Sequence, residues 1–270
     1  SIPGNRTRAM TAETLIQAGD PVAALQALQD QVRSQPADAK LRIFLFQLLA
    51  VTGDWKRAQA QLEIAGQLNS EAEPMVQAYR DVINCELHRD AVFEGKSKPL
   101  IFGEPEDWVA ELVEAQQAFA KGDMDAFTAL NAQAFDKAET RSGRINDEGF
   151  EWLADADQRF GPIFEFIFNG QYYWVPMSRV AKLHTEQPTD LRDLIWLPAE
   201  VMWINGGKIM VMIPARYPRI EGVSGPGLLS RRTDWLAHEG DIAEGTGQRI
   251  FASDKNDYSI LQVRSIEFDE

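Results

Sequence analysis

Three histidines, one cysteine and one close pair of acids are the residues of this 270-residue chain best suited to chemistry. His88, His184 and His238 lie far apart, and none has a second histidine four residues away, as a helix-borne zinc pair requires. Cys85 precedes His88 by three residues on a stretch with helical periodicity, so the two share a face. A nucleophilic thiol also needs a group that orients its base, and the spacing supplies none. Asp155 and Asp157 stand two apart, as metal carboxylates can, but a solvated helix turn accounts for the spacing more simply. Gly225-Pro226-Gly227 begins like a dinucleotide fingerprint, but Ser230 occupies the third glycine position, so the segment reads as a loop. No phosphate-loop lysine motif, nucleophile elbow or calcium loop is present. The expectation is a binding protein with no catalytic residues, metal or cofactor. An enzyme of unknown class, with a helical half that recruits substrate, is the alternative.

Charge and composition narrow the partners. The formal net charge is −14, so the chain lacks the basic footprint that nucleic acid or an anionic membrane surface selects. One cysteine allows no intramolecular disulfide. The longest apolar run, residues 41–51, contains Arg42 and Gln47 and is too short to span a bilayer. A cytoplasmic location is expected. Residues 1–9 differ in character from the rest of the chain and read as an expression-vector remnant, with Met10 as the native start.

Two regions must position whatever the chain binds. From residue 10 to 141, apolar residues recur at three- and four-residue steps, as in Val22, Leu25, Leu28 and Val32, which predicts helices. Gly19-Asp20 and Gly53-Asp54 are 34 residues apart, and the pairs Ala24/Ala58 and Leu28/Leu62 keep the same offset. That period belongs to tetratricopeptide-like helical hairpins. Gly122-Asp123 opens a degenerate third unit in which Phe127 takes the alanine position. Residues 93–105 contain two glycines and two prolines and read as a loop.

From residue 142 to 270 the period shortens. Residues 163–168 and 171–175 are apolar-aromatic runs joined by Asn169-Gly170, a strong hairpin signal. A second hairpin is predicted around Asn205-Gly206-Gly207, with later strands at 249–252 and 259–263 and a short helix at 150–160. The fold class is therefore α+β: tetratricopeptide-like helical hairpins followed by a mainly antiparallel, β-rich domain. In Tyr172-Tyr173-Trp174, alternation along a strand prevents all three rings from entering one core. With Trp203 and Arg179 nearby, these aromatics form a candidate protein-binding surface.

A set of second-half motifs adds an identification. Gly143-Arg-Ile-Asn, Phe150-Glu-Trp-Leu-Ala-Asp-Ala-Asp, Tyr172-Tyr-Trp-Val-Pro, Asp190-Leu-Arg-Asp-Leu, Ala215-Arg-Tyr-Pro, Arg231-Arg-Thr-Asp-Trp and Gly247-Gln-Arg together resemble the ImpE family, also called SciE or TagJ. These are accessory proteins of bacterial type VI secretion. The resemblance implies a non-enzymatic adaptor that binds the small subunit of the contractile sheath, through a short amphipathic helix at that subunit's N-terminus. Through it the adaptor would be linked to the AAA+ ATPase that disassembles contracted sheath. Two surfaces could hold such a helix: the hairpins around Phe44 and Leu48, or the β-domain around Tyr172, Trp174, Arg179 and Trp203. The β-domain is favoured because its motifs carry the resemblance.

Overall fold

The computed structural model describes residues 10–270, so the expectation for residues 1–9 falls outside it. The chain forms two compact units, one ending at Val76 and the other beginning at Gln77. Among the described residues, no helix is long and apolar enough to cross a membrane.

The first unit is built from helices α1 (Ala12–Gln17), α2 (Pro21–Ser34), α3 (Ala39–Val51) and α4 (Trp55–Leu68). The Gly-Asp repeat has a specific mechanical meaning. After α1, Gly19 takes φ 82°, its N–H bonds Ile16 O at 3.0 Å, and the Asp20 N–H reaches back to Leu15 O at 2.9 Å. Gly53 and Asp54 repeat this after α3, with bonds to Ala50 O and Leu49 O. Glycine reaches the left-handed conformation that this helix end requires without a Cβ penalty. Each aspartate then caps the next helix: Asp20 accepts from Ala23 N at 3.0 Å and Asp54 from Arg57 N at 3.2 Å. Ala24, Leu28, Ala58 and Leu62, the residues that keep the repeat offset, are fully buried.

Helix α5 (Glu73–Phe93) leads into the second unit, which continues with β1 (Leu100–Ile101), α6 (Asp107–Ala120) and α7 (Met124–Lys137). Gly122 and Asp123 join α6 to α7 by the same device, with bonds to Phe119 O and Ala118 O and a cap on Ala126 N. Phe127, at the degenerate position, is buried against Phe119 and Ile242. The expected division at residue 141 differs from the observed grouping, in which the chain from Gln77 onward packs with the β-structure.

The strands follow as β2 (Gly143–Ile145), β3 (Glu148–Phe150), β4 (Leu153–Asp155), β5 (Ile163–Phe168), β6 (Gln171–Pro176), β7 (Val180–Thr185), β8 (Trp196–Trp203) and β9 (Lys208–Pro214). After the single-turn helix α8 (Gly225–Leu228) come β10 (Thr233–His238), β11 (Ile242–Gly247), β12 (Ile250–Ser253), β13 (Asp257–Ser259) and β14 (Ser265–Phe268). A nine-stranded sheet runs β1-β6-β5-β9-β8-β7-β14-β2-β3, with only the β1–β6 pair parallel. Strands β13-β12-β4 form a small sheet and β10-β11 a ribbon. The main apolar core includes Phe164, Phe166, Val175, Leu197, Val201 and Ile213 from the large sheet, with Leu153 and Phe251 from the small one.

The two hairpins stand where expected. Asn169 and Gly170 both have positive φ, 50° and 69°, as the two-residue turn matching strand twist demands. Other expectations are corrected. Residues 93–105 are not loop throughout, because β1 adds a parallel edge to β6. Residues 150–160 form strand ends and turns rather than a helix; Leu153–Asp155 pairs with β12. Residues 225–228 make a short helix, capped by the Ser224 side chain at 3.2 Å, where a loop was expected. Residues 260–262 form a 3-10 turn between β13 and β14 instead of a strand.

Candidate functional site

The alternation along β5 decides the chemistry of this region. Phe164 and Phe166 point into the main core, so Glu165 must point to the other face, beside its register partner Trp174 on β6. That face is covered by α5. Tyr79 packs on Trp196, His88 on Tyr172, and Phe93 on Trp174, while Glu86 accepts the Trp196 indole N–H at 2.7 Å.

Glu165 is sealed from water, and a buried carboxylate survives only when paired and hydrogen-bonded. Arg89 of α5 supplies a two-pronged pair, Nε to Oε2 at 2.8 Å and Nη2 to Oε1 at 2.7 Å. Arg249 and the Tyr172 hydroxyl also donate to it, and that hydroxyl accepts from Trp174 Nε1 at 2.8 Å. Burial works to raise the Glu165 carboxyl, but Arg89 and then Arg249 overcome it and hold it down at about 2.

The chain of charge continues. Arg249 bridges from Glu165 to Asp155, which also accepts from Tyr217 at 2.8 Å and from Asp157 N at 2.9 Å. Here burial is the largest effect and pushes the Asp155 carboxyl up to about 6, against the pull of Arg249. Asp157 holds Arg159 by Nε and Nη2 and accepts Gly245 N at 2.7 Å. Glu244 receives Arg219 at 2.8 and 3.0 Å and meets His238 Nε2 at 2.8 Å. Asp155 and Asp157, which could have been metal ligands by spacing, are taken up by arginines. Burial pushes the Cys85 thiol up to about 12, away from the thiolate that a nucleophile needs.

Two cavities border this network. One, of about 230 Å³, is walled by Trp108, Phe135, Trp152, Leu153, Met177 and Phe268. The other, of about 450 Å³, lies where the ionic chain reaches the surface at Arg159, Arg219, His238 and Glu244.

The candidate binding residues separate. Tyr172 and Trp174 have no accessible surface, so their expected direct contact with a partner is corrected: these two rings lie under α5. Leu48 in the first unit is likewise fully buried, while Phe44 is half-buried. Trp203 and Arg179 come together on the opposite side of the sheet. Trp203 stacks on Phe102 at 4.2 Å, the Ile204 N–H donates to Arg179 O, and Arg179 Nη2 reaches Glu104 O. Both remain half-exposed, as does Tyr173.

Sequence reasoning missed Arg89, Glu165 and Arg159. The only local signal was a charge inside an apolar run, Glu165 within β5, since a buried strand carries a carboxylate only if a cation comes to meet it. Asp155, Asp157, Arg216, Tyr217 and Arg249 all belong to the second-half motifs, which thus converge on one buried network.

Comparison with known proteins places the chain by family and by fold. The model of the ImpE protein family matches residues 147–267, and a tetratricopeptide-repeat model matches residues 15–78. The type VI secretion system accessory component TagJ of Pseudomonas aeruginosa is 48% identical over 262 residues, covering 97% of this chain and 92% of that protein. A crystal structure of a Vibrio parahaemolyticus protein shares the fold at a TM-score of 0.89, over 96% of this chain and 97% of that one, at 23% identity.

Proposed function

This chain belongs to the ImpE family of type VI secretion accessory proteins, and from that premise we propose that it is a non-catalytic, cytoplasmic adaptor that binds the small subunit of the contractile sheath. The bound element is the short amphipathic helix at that subunit's N-terminus, and the complex links the sheath to recycling by the AAA+ ATPase. The observation that carries this reading is the relation to a type VI accessory component along nearly the whole of both chains.

The geometry is in keeping with it. Helical hairpins of the tetratricopeptide kind present grooves suited to a helix, and the buried acids and arginines pair with one another within the fold. A helix of a few turns buries less than a standard interface of roughly 1,600 Å², so each contact should be of about micromolar strength, reinforced by the many copies in a sheath.

Co-expression with the small sheath subunit tests the proposal. The two should co-purify, and removal of the subunit's N-terminal helix should abolish this. Co-purification that survives the removal counts against the helix, and failure of the intact pair to associate counts against the partner. Adding the ATPase to the purified pair then tests the link: a ternary complex supports it, and exclusion of the ATPase opposes it.

A further inference from the structure

The larger cavity contains a cation with an unused donor. Arg159 is only 3% exposed. Its Nε and Nη2 are committed to Asp157, and its guanidinium lies over the rings of Phe93, Phe119 and Phe160. Nη1 makes no hydrogen bond among the described residues and stands 3.8 Å from Glu244 Oε1, with which it shares only charge. Arg159 lines the cavity, so an acceptor oxygen entering there can meet this donor.

The surroundings select that oxygen. Glu244 is already engaged by Arg219 and His238, Glu94 pairs with Lys96, and the lining adds Glu221. A carboxylate or phosphate would enter against this excess of acid, whereas a neutral carbonyl from a segment carrying lysine or arginine would be drawn in. The walls, formed by Phe93, Phe119, Met124 and Ile220, suit an apolar side chain.

We infer that this cavity takes an apolar side chain and the adjoining backbone carbonyl of a basic segment of a partner protein, with Arg159 Nη1 donating to the carbonyl and Glu221 facing the basic residues. The inference rests on the adaptor reading above and adds the place and chemistry of one contact.

Two titrations test it on the full chain. In the first, acetyl-Lys-Leu-Lys-amide and its glutamate twin are added while NMR follows the His238 ring and the Ile220 methyls. The lysine peptide should shift both signals saturably and the glutamate peptide should not. Glu221→Lys should weaken the lysine peptide about tenfold, and raised salt should weaken it further. An equal response to both peptides, no response, or indifference to both Glu221→Lys and Ile220→Asp in variants with unchanged circular dichroism would overturn the inference. In the second, the small sheath subunit is titrated into the same variants. Binding that survives both substitutions removes this cavity and leaves the adaptor reading intact. If the lysine peptide binds and the subunit does not, the cavity stands and the assigned partner fails.

Discussion

Arg89 on α5 and Glu165 on β5 form a two-pronged ion pair across 76 residues of sequence, with both side chains essentially sealed from water. The pair ties the helix to the sheet at the point where Arg249 arrives from the other side. Removing one partner strands the other as a buried charge, which costs about 3–5 kcal/mol. Arg89→Ala should therefore lower urea stability by that order, and Arg89→Ala combined with Glu165→Leu should recover part of the loss. A single substitution within 1 kcal/mol of the parent, roughly the worth of an exposed pair, would show that the pair is not sealed.

The same network sets a pH dependence with two limbs. The folded-state Asp155 carboxyl is up at about 6, above its ordinary 3.8, so its stabilising contribution is present at low pH and lost as pH rises through 6. Glu165 is down at about 2, below its ordinary 4.5, so its contribution is present above 4.5 and lost as pH falls toward 2. The urea midpoint should rise between pH 7 and pH 5 and fall below about 4.5. Asp155→Asn should flatten the upper limb and spare the lower.

Trp174 fills the space under α5 and donates to the Tyr172 hydroxyl. Truncating a buried tryptophan costs about 3–5 kcal/mol, so Trp174→Ala should act on folding first. Thermal melting should show a large loss of stability, and any loss of partner binding should follow the unfolded fraction. Trp203→Ala touches a half-exposed ring and should be milder, because Phe102 remains to cover part of the site.

Gly247 combines φ 79° with a backbone carbonyl, Arg232 O, only 2.1 Å from where a Cβ would stand. Neither the left-handed conformation nor the close carbonyl tolerates a methyl group. Gly247→Ala should destabilise by roughly 3 kcal/mol or more, measured by chemical denaturation. Gly122→Ala has an open space around it and pays only for its backbone, so the ratio of the two losses separates crowding from conformation.

Elements defined by local chemistry were legible in the sequence. Gly19-Asp20 and Gly53-Asp54 encode a helix end and the next helix start in two residues. Asn169-Gly170 encodes a turn through two positive φ angles. What could not be read is which strand faces are covered. Alternation correctly sends Tyr172 and Tyr173 to opposite sides, but only the tertiary fold places α5 over one of them. The ionic chain was hidden for the same reason: Arg89, Asp155 and Glu165 sit on three separate elements, and Arg249 sits in the link between β11 and β12. Trp203 and Arg179 lie on neighbouring segments, and the ring that stacks on Trp203, Phe102, lies in a segment expected to be loop.

The adaptor role is tested most directly by calorimetric titration of the purified small sheath subunit into this chain. Saturable binding of about micromolar strength, lost when the subunit's N-terminal helix is deleted, is the predicted result. Absence of binding heat at concentrations well above that range, with both proteins folded, would contradict it.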